Sequence, residues 1–455
     1  MNTVKNHRLG ALAACLCLGL ITSCGDDDTS GDNNNTQQDA TVDAAPDAAT
    51  GDSVTFVVLT YSDADATYIP TAGANVAFDA PGGERTEVDT GADGKATFGG
   101  IDWTTGEAAV TVHLFGHAMI SVVHLDPDRL SAWVDDNGDY PMELESLIPP
   151  TPPDTVTVSG TATGLASTAH QYGVYAADTL VTTDAWAGIG TQGYSIEAPS
   201  GEPFILRAVE YDYSELPSGQ GYDRPIYQWM NMDYGPITAD AVDVELDFTA
   251  HAMTTHTADV SMVMPPRADS PIRTGDIPYC YFCSSNSLYC QGWPTYVDVV
   301  DGQNRVDISF LWVEPAYVQG PFWFCYVRAT TGEMAQTRVP GTPVQDAQAT
   351  LMDPPTWVTP ADPLVAHPLH APMEWEWRED VTESAVVVRR GGTNVWYVRG
   401  GANATTLTVP AAPSAVDETQ IIGSSPTAMV TGGTMDDDGS VFARYAQSLA
   451  TQIEP

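Results

Sequence analysis

Cys280, Cys283, Cys290 and Cys325 cluster in one region of a 455-residue chain. An even set of thiols in an exported protein pairs into disulfides, so two bridges are expected. A tetrahedral zinc site would need two closely spaced pairs, and "CYFC" supplies only one. A thioredoxin-like role would need a βαβ context that the surrounding sequence lacks. Four cysteines allow three connectivities, and their spacing does not choose among them.

Oxygen ligands come next. Asp135, Asp136, Asn137 and Asp139, in "DDNGD", bring several hard oxygens close together, the arrangement calcium takes. Asn-Gly is equally a hairpin turn, and a solvated turn is the favoured reading. "DDDG" at 436–439 and "DVVDGQNRVD" at 298–307 read the same way. His113, His117 and His124 invite a metal reading. If 110–125 were one strand, His113 and His117 would share a face but stand about 13 Å apart, too far for one zinc. His251, His256, His367 and His370 show no ligand spacing. No cofactor is implied.

The motifs of catalysis are missing. The chain has no G-x-S-x-G elbow, no H-E-x-x-H, no phosphate-cradling G-x-x-x-x-G-K and no βαβ setting for a dinucleotide fingerprint. A glycosidase needs only two well-placed carboxylates, so a carbohydrate-active enzyme stays open as the alternative to a non-enzyme. What stands out is aromatic density. "YDYSELPSGQGYDRPIYQWMNMDYG" carries Tyr211, Tyr213, Tyr222, Tyr227, Trp229 and Tyr234 around Arg224. Tyr279, Tyr281, Phe282, Tyr289, Trp293 and Tyr296 flank the cysteines. Both stretches read as long loops. Aromatic faces beside Asp, Asn and Arg suit stacking on a sugar or gripping a protein, and the bland reading is that they cap a core.

These residues must be carried by strands. Long 3.6-residue periodicity is missing, whereas short Val, Thr, Tyr and Phe runs bounded by Gly, Pro, Asn and Asp recur, the pattern of an all-β chain. Comparable runs open near Val54, Val156, Asp259 and Met373, about one hundred residues apart, the length of one sandwich. Proline clusters at 148–154 and 353–363 read as extended joints. The organisation expected is therefore 53–148, 154–250, 251–352 and 353–455, with 154–250 and 251–352 able to merge. In the first module "ADGK" reads as a tight hairpin turn with Asp93 and Gly94 at positive φ.

The N-terminus explains where such modules would sit. Lys5 and Arg8 precede an uncharged apolar run from Leu9 to Ile21, too short for the roughly 20 residues of a membrane span and suited to a cleaved signal peptide. "ITSC" resembles the lipobox of bacterial lipoproteins, which implies cleavage after 1–23 and lipidation of Cys24. Loss of Lys5 and Arg8 takes the formal charge from −43 to −45, with 60 acidic residues retained. Such a chain does not seek nucleic acid, and acyl chains rather than charge would hold it to a membrane. Residues 25–52 hold eight Asp, no base and no aromatic, and read as a disordered spacer of roughly 30 Å.

"GANVAFDAPGGERTEVDTGADGKATFGGI", from Gly73 to Ile101, resembles the bacterial immunoglobulin-like and carboxypeptidase regulatory-like (transthyretin-like) modules. "PMEWEWRED", "SAVVVRR", "NVWYVRGG" and "TTLTVP" resemble a fibronectin type III sandwich, although "TAMVTGG" stands where an aromatic strand belongs. The resemblances imply tandem β-sandwiches without catalytic residues. They further imply a lipid-anchored binding or adhesion module of the outer membrane, facing the surface or the periplasm, with a glycan or surface protein as partner. A passive spacer is the remaining alternative.

Overall fold

The computed structural model describes residues 53–454 apart from 63–66, 136, 148–153, 168–169, 178–181, 188–192, 202, 212–225, 253–254, 264–276, 284–289, 292, 295–304, 314–321, 330, 342–346 and 436–441. The fold is all-β, as the sequence pattern requires. Two compact units appear. One holds Pro150–Asp353, and the other joins the described residues before Pro149 to Pro354–Pro455.

In the second of these, the opening strand Ser53–Ser62 alternates so that Val54, Phe56 and Val58 turn inward. It pairs antiparallel with Lys95–Gly99 and Thr67–Pro70, and parallel with Tyr140–Leu144. The strands Arg85–Asp89, Asn75–Asp79, Ala108–His113 and Met119–Leu125 form the facing sheet. Rings lock the two sheets together, with Phe78 of one at 6.0 Å from Phe56 and stacked at 5.0 Å on Phe98 of the other, and Phe56 also meets Tyr140 within its own sheet at 5.6 Å.

Two local expectations change. At "ADGK" only Gly94 takes a positive φ, of 73°, whereas Asp93 stays out of the left-handed region, so the pair of positive-φ residues that a mirror-image turn needs is not formed. The Gly94 N–H reaches the Gly91 carbonyl at 3.0 Å, a four-residue turn closed by one left-handed glycine. The run 110–125 is not one strand. Ala108–His113 and Met119–Leu125 form a hairpin that turns at Gly116, whose φ is 82°.

The first and last modules share both a sheet and a core. Met119–Val122 runs parallel to Trp396–Arg399 of the strand Thr393–Arg399. From there the sheet continues through Glu383–Arg390, Pro426–Met435 and Phe442–Gln447. Met119 and Val123 belong to the same hydrophobic cluster as Trp375, Val386, Trp396 and Val398. Trp396 is fully buried, and its indole N–H donates to the Ser121 hydroxyl at 2.9 Å. Ser121 in turn meets Thr111 at 2.8 Å. At the far edge Arg85 donates to the Ala411 and Ala412 carbonyls at 2.9 and 3.0 Å, and Glu87 accepts the Ser414 N–H and hydroxyl at 2.9 and 2.6 Å. The second proline cluster is no bare joint: Thr356–Thr359 is a strand paired with Met373–Glu376, and Trp357 packs edge-on against Trp375 at 6.3 Å.

Among its described residues, Pro150–Asp353 contains two cores. Val158, Tyr172, Ile196, Leu206, Met230 and Phe248 belong to the first, and Val260, Met262, Ile308, Trp323 and Val327 to the second. In the first, Ala241–Asp247 bulges against Thr155–Thr163, so that a Cβ at Gly160 would lie 1.8 Å from the Val244 carbonyl oxygen. Only glycine admits that approach.

Ionisable groups are half-buried beside the shared sheet. Burial pushes the Glu383 carboxyl above the ordinary carboxylate range, against the opposing pull of Arg399 and Arg129. Burial likewise pulls the Arg129 guanidinium down. A carboxyl whose pKa is raised by folding favours the folded state while protonated, and that contribution is lost as pH rises through its folded value. Glu383→Gln removes this dependence. From about pH 4 upward the variant should therefore gain stability relative to the wild type as pH rises, until the folded-state carboxyl has ionised. Denaturant unfolding across that range checks the slope, and a flat or falling difference contradicts the burial.

Candidate functional site

The described residues of the aromatic stretch, Tyr211 and Ile226–Tyr234, belong to paired strands rather than to a loop. Phe204–Tyr211 pairs antiparallel with Ile226–Tyr234, from Phe204 opposite Tyr234 to Tyr211 opposite Ile226, with an irregularity at Glu210/Tyr211. Tyr227 and Trp229 are strand residues, and Trp229 stands opposite Val209. Tyr213, Tyr222 and Arg224 lie outside the described residues. Tyr234 is half-buried and packs on the fully enclosed Phe204 at 5.6 Å, so this ring serves the core instead of a display surface.

The base of the hairpin is fixed by a residue that the sequence analysis missed. Phe204, Leu206 and Ala208 point inward, and Glu210 follows in the same phase with no exposed surface. Its carboxylate accepts the Ala166 and Ser167 N–H groups at 3.2 and 3.3 Å and the Gln228 amide at 2.6 Å. His170 Nδ1 lies 2.7 Å away. A buried carboxylate so fully engaged holds Ala166, Ser167 and His170 against the hairpin end. The available signal was an acid falling on the inward beat of an otherwise apolar strand.

The cysteine region is also strand-built. Tyr279, Tyr281 and Phe282 belong to Ile277–Cys283, which pairs with Phe322–Arg328, and Trp293 belongs to the short strand Trp293–Pro294. Cys280 stands opposite Cys325, and the two form a buried disulfide with Cα atoms 4.1 Å apart. These two thiols are therefore not zinc ligands. Cys283 stands opposite Cys290 in the backbone register. A second bridge there is the expectation. Non-reducing peptide mapping should recover Cys280 with Cys325 and Cys283 with Cys290, and reduction should cost about 2–5 kcal/mol per bridge. Free thiol at Cys283 and Cys290 would contradict the second pairing.

The acidic candidates are engaged by the protein itself. Asp135 accepts the N–H groups of Asn137 and Asp139 at 2.8 and 2.9 Å, and these bonds hold its carboxyl below the ordinary range although burial works against them. Asp139 is buried and pairs with Lys95 at 2.5 Å. Asp136 and the 436–439 run fall outside the described residues. Asp307 takes bonds from Ser261 at 2.6 Å and Arg305 at 2.8 Å, which lower its pKa. Burial, and then the neighbouring His117, pull the His113 pKa down. His124 pairs with Glu107 at 2.7 Å and His370 with Glu418 at 2.9 Å. Among the described residues no group of three or more His, Cys, Asp or Glu is arranged to hold a metal ion.

No family model matches the chain, and no curated protein matches it. Among solved structures, the chain is similar to a Bacteroides ovatus protein described as an adhesin candidate, at 9% identity and a TM-score of 0.14, over 39% of this chain and 72% of that one. A bacterial ice-binding adhesin matches at 8% identity and a TM-score of 0.14, over 67% of this chain and 98% of its own. The pilus adhesin SpaC from Lactobacillus rhamnosus GG matches at 9% identity and a TM-score of 0.15, over 79% of this chain and 43% of its own. Scores of this size carry no argument about what the chain binds.

Proposed function

We propose that the chain is a lipid-anchored, non-catalytic binding or adhesion protein of the bacterial outer membrane. Cys24 carries the anchor, residues 25–52 act as the spacer, and the β-sandwich modules present the ligand-binding surface. The observation that carries the binding reading is the hairpin Phe204–Tyr234. Its two strands are tied to a neighbouring segment through Glu210, and its connecting residues 212–225 hold Tyr213, Tyr222 and Arg224. Aromatics carried on a fixed scaffold offer contact area at small entropic cost, and beside Asp and Arg they suit a glycan or a polar protein surface.

The test has two arms on one set of proteins. Cys24→Ala should move the protein from the membrane fraction to the soluble one, because so acidic a chain does not adhere to anionic lipid by charge. Purified protein should bind saturably on a glycan and surface-protein array without turning over chromogenic glycosides, and Trp229→Ala should weaken that binding while leaving the melting temperature nearly unchanged. Turnover, or a Trp229→Ala variant that loses about 3–5 kcal/mol of stability as a buried ring would, contradicts the reading.

A further inference from the structure

We propose that the parallel pair formed by Ser53–Ser62 and Tyr140–Leu144 is a tension clamp. The inference rests on the reading above, in which the chain is anchored at Cys24 and holds its ligand on Pro150–Asp353. Under that arrangement a pull on the ligand travels down the covalent chain to the anchor. It enters the unit built from the first and last modules at Pro149 or at Pro354. A load arriving at Pro354 passes into the last module and crosses to the first through Trp396–Arg399 beside Met119–Val122. Whichever way it enters, it leaves through the opening strand, the single covalent link from this unit to residue 52.

The direction of that load matters. Phe56 to Thr60 run parallel to Tyr140 to Leu144 in five register pairs. The anchor pulls the opening strand from its N-terminal end, and the connection to Pro149 pulls Tyr140–Leu144 from its C-terminal end. In a parallel pair these ends point in opposite directions, so the two strands are drawn past each other lengthwise. The evenly spaced ladder bonds then share the load and must yield together, whereas a pull at the same end of both strands opens them one after another. Sliding is opposed by more than the ladder. Phe56, Val58, Tyr140, Met142 and Leu144 are all buried, so a shift along the strand drags inward side chains through a close-packed interior. The opening strand is also gripped on its other edge, by Lys95–Gly99 over its first half and Thr67–Pro70 over its second. The Val58 N–H donates to the Gly94 carbonyl, and the Val58 carbonyl accepts from the Thr71 N–H, each at 2.9 Å, across the gap between those two partners.

Single-molecule pulling on the chain from residue 25 onward, carrying both units, tests the clamp. One handle is placed at the N-terminus. The other is placed either in the 149–154 connection, which loads the pair in shear, or at Asn137, an exposed turn residue just before Tyr140, which loads the same pair as a zipper. Forced unfolding reports the barrier along the pulled direction. The first geometry should rupture at a force several-fold higher than the second. Equal forces, or a lower force in the first geometry, overturn the clamp. Because the comparison uses unlipidated protein, the force ratio decides the clamp whether or not Cys24→Ala releases the protein from membranes. Membrane retention of that variant would overturn the anchoring reading separately.

Discussion

The parallel pairing of Met119–Leu125 with Thr393–Arg399 is the constraint on which the rest depends. An unpaired sheet edge is a liability, and here the edge of the first module is covered by a strand from the last. Trp396 makes the join specific, since its buried indole needs an acceptor and Ser121, itself held by Thr111, supplies one. The consequence is topological. Two modules separated by some 200 residues become one unit, and Pro150–Asp353 becomes an insertion whose two ends both return to it.

The chain's scarcity of positive charge sharpens the same point. With 17 basic and 60 acidic residues, cations are few, and several of those described are spent at joints between strands or segments. Lys95 neutralises buried Asp139, Arg85 clasps the 411–412 carbonyls, and Arg390 donates to the Gln420 carbonyl at 2.8 Å. Arg129 lies half-buried near Glu383, beside the sheet that unites the modules. Exposed ion pairs contribute little to stability, but a charge enclosed at a seam makes any misfit there costly.

The strands themselves were legible, because alternation in "VTFVVLTY" or "FILRAVEY" follows from burying one face of a pleated sheet. The runs near Val54 and Val156 open the strands Ser53–Ser62 and Thr155–Thr163, whereas Asp259 falls in the middle of the strand Thr255–Val263. Near Met373 the last module had already begun at Thr356, since proline-rich composition masked a strand whose Trp357 is part of the core. The His113–His117 hairpin was hidden because the apolar run continues across its turn, with Gly116 as the one sign of a break. The join between modules left no mark at all, since a strand edge does not encode which distant strand will cover it. Of the aromatic candidates, Tyr234 turned out to be core and Trp229 a strand residue, because "IYQWMNMDY" alternates too weakly to separate strand from loop. Glu210, the group that fixes the hairpin's base, reads in sequence as one acid among many, and its burial decides its role.

If the shared sheet is what makes the first and last modules one body, their junction amides should open only when the whole unit unfolds. Native-state hydrogen exchange on the full chain measures this directly, because amides protected by one cooperative unit exchange with a common opening free energy. The account predicts that Met119–Leu125 and Thr393–Arg399 exchange with the same free energy, at the high end for the protein, and with the same denaturant dependence. Exchange of Thr393–Arg399 at a distinctly lower free energy than Met119–Leu125 would show the last module opening alone, and would contradict the account.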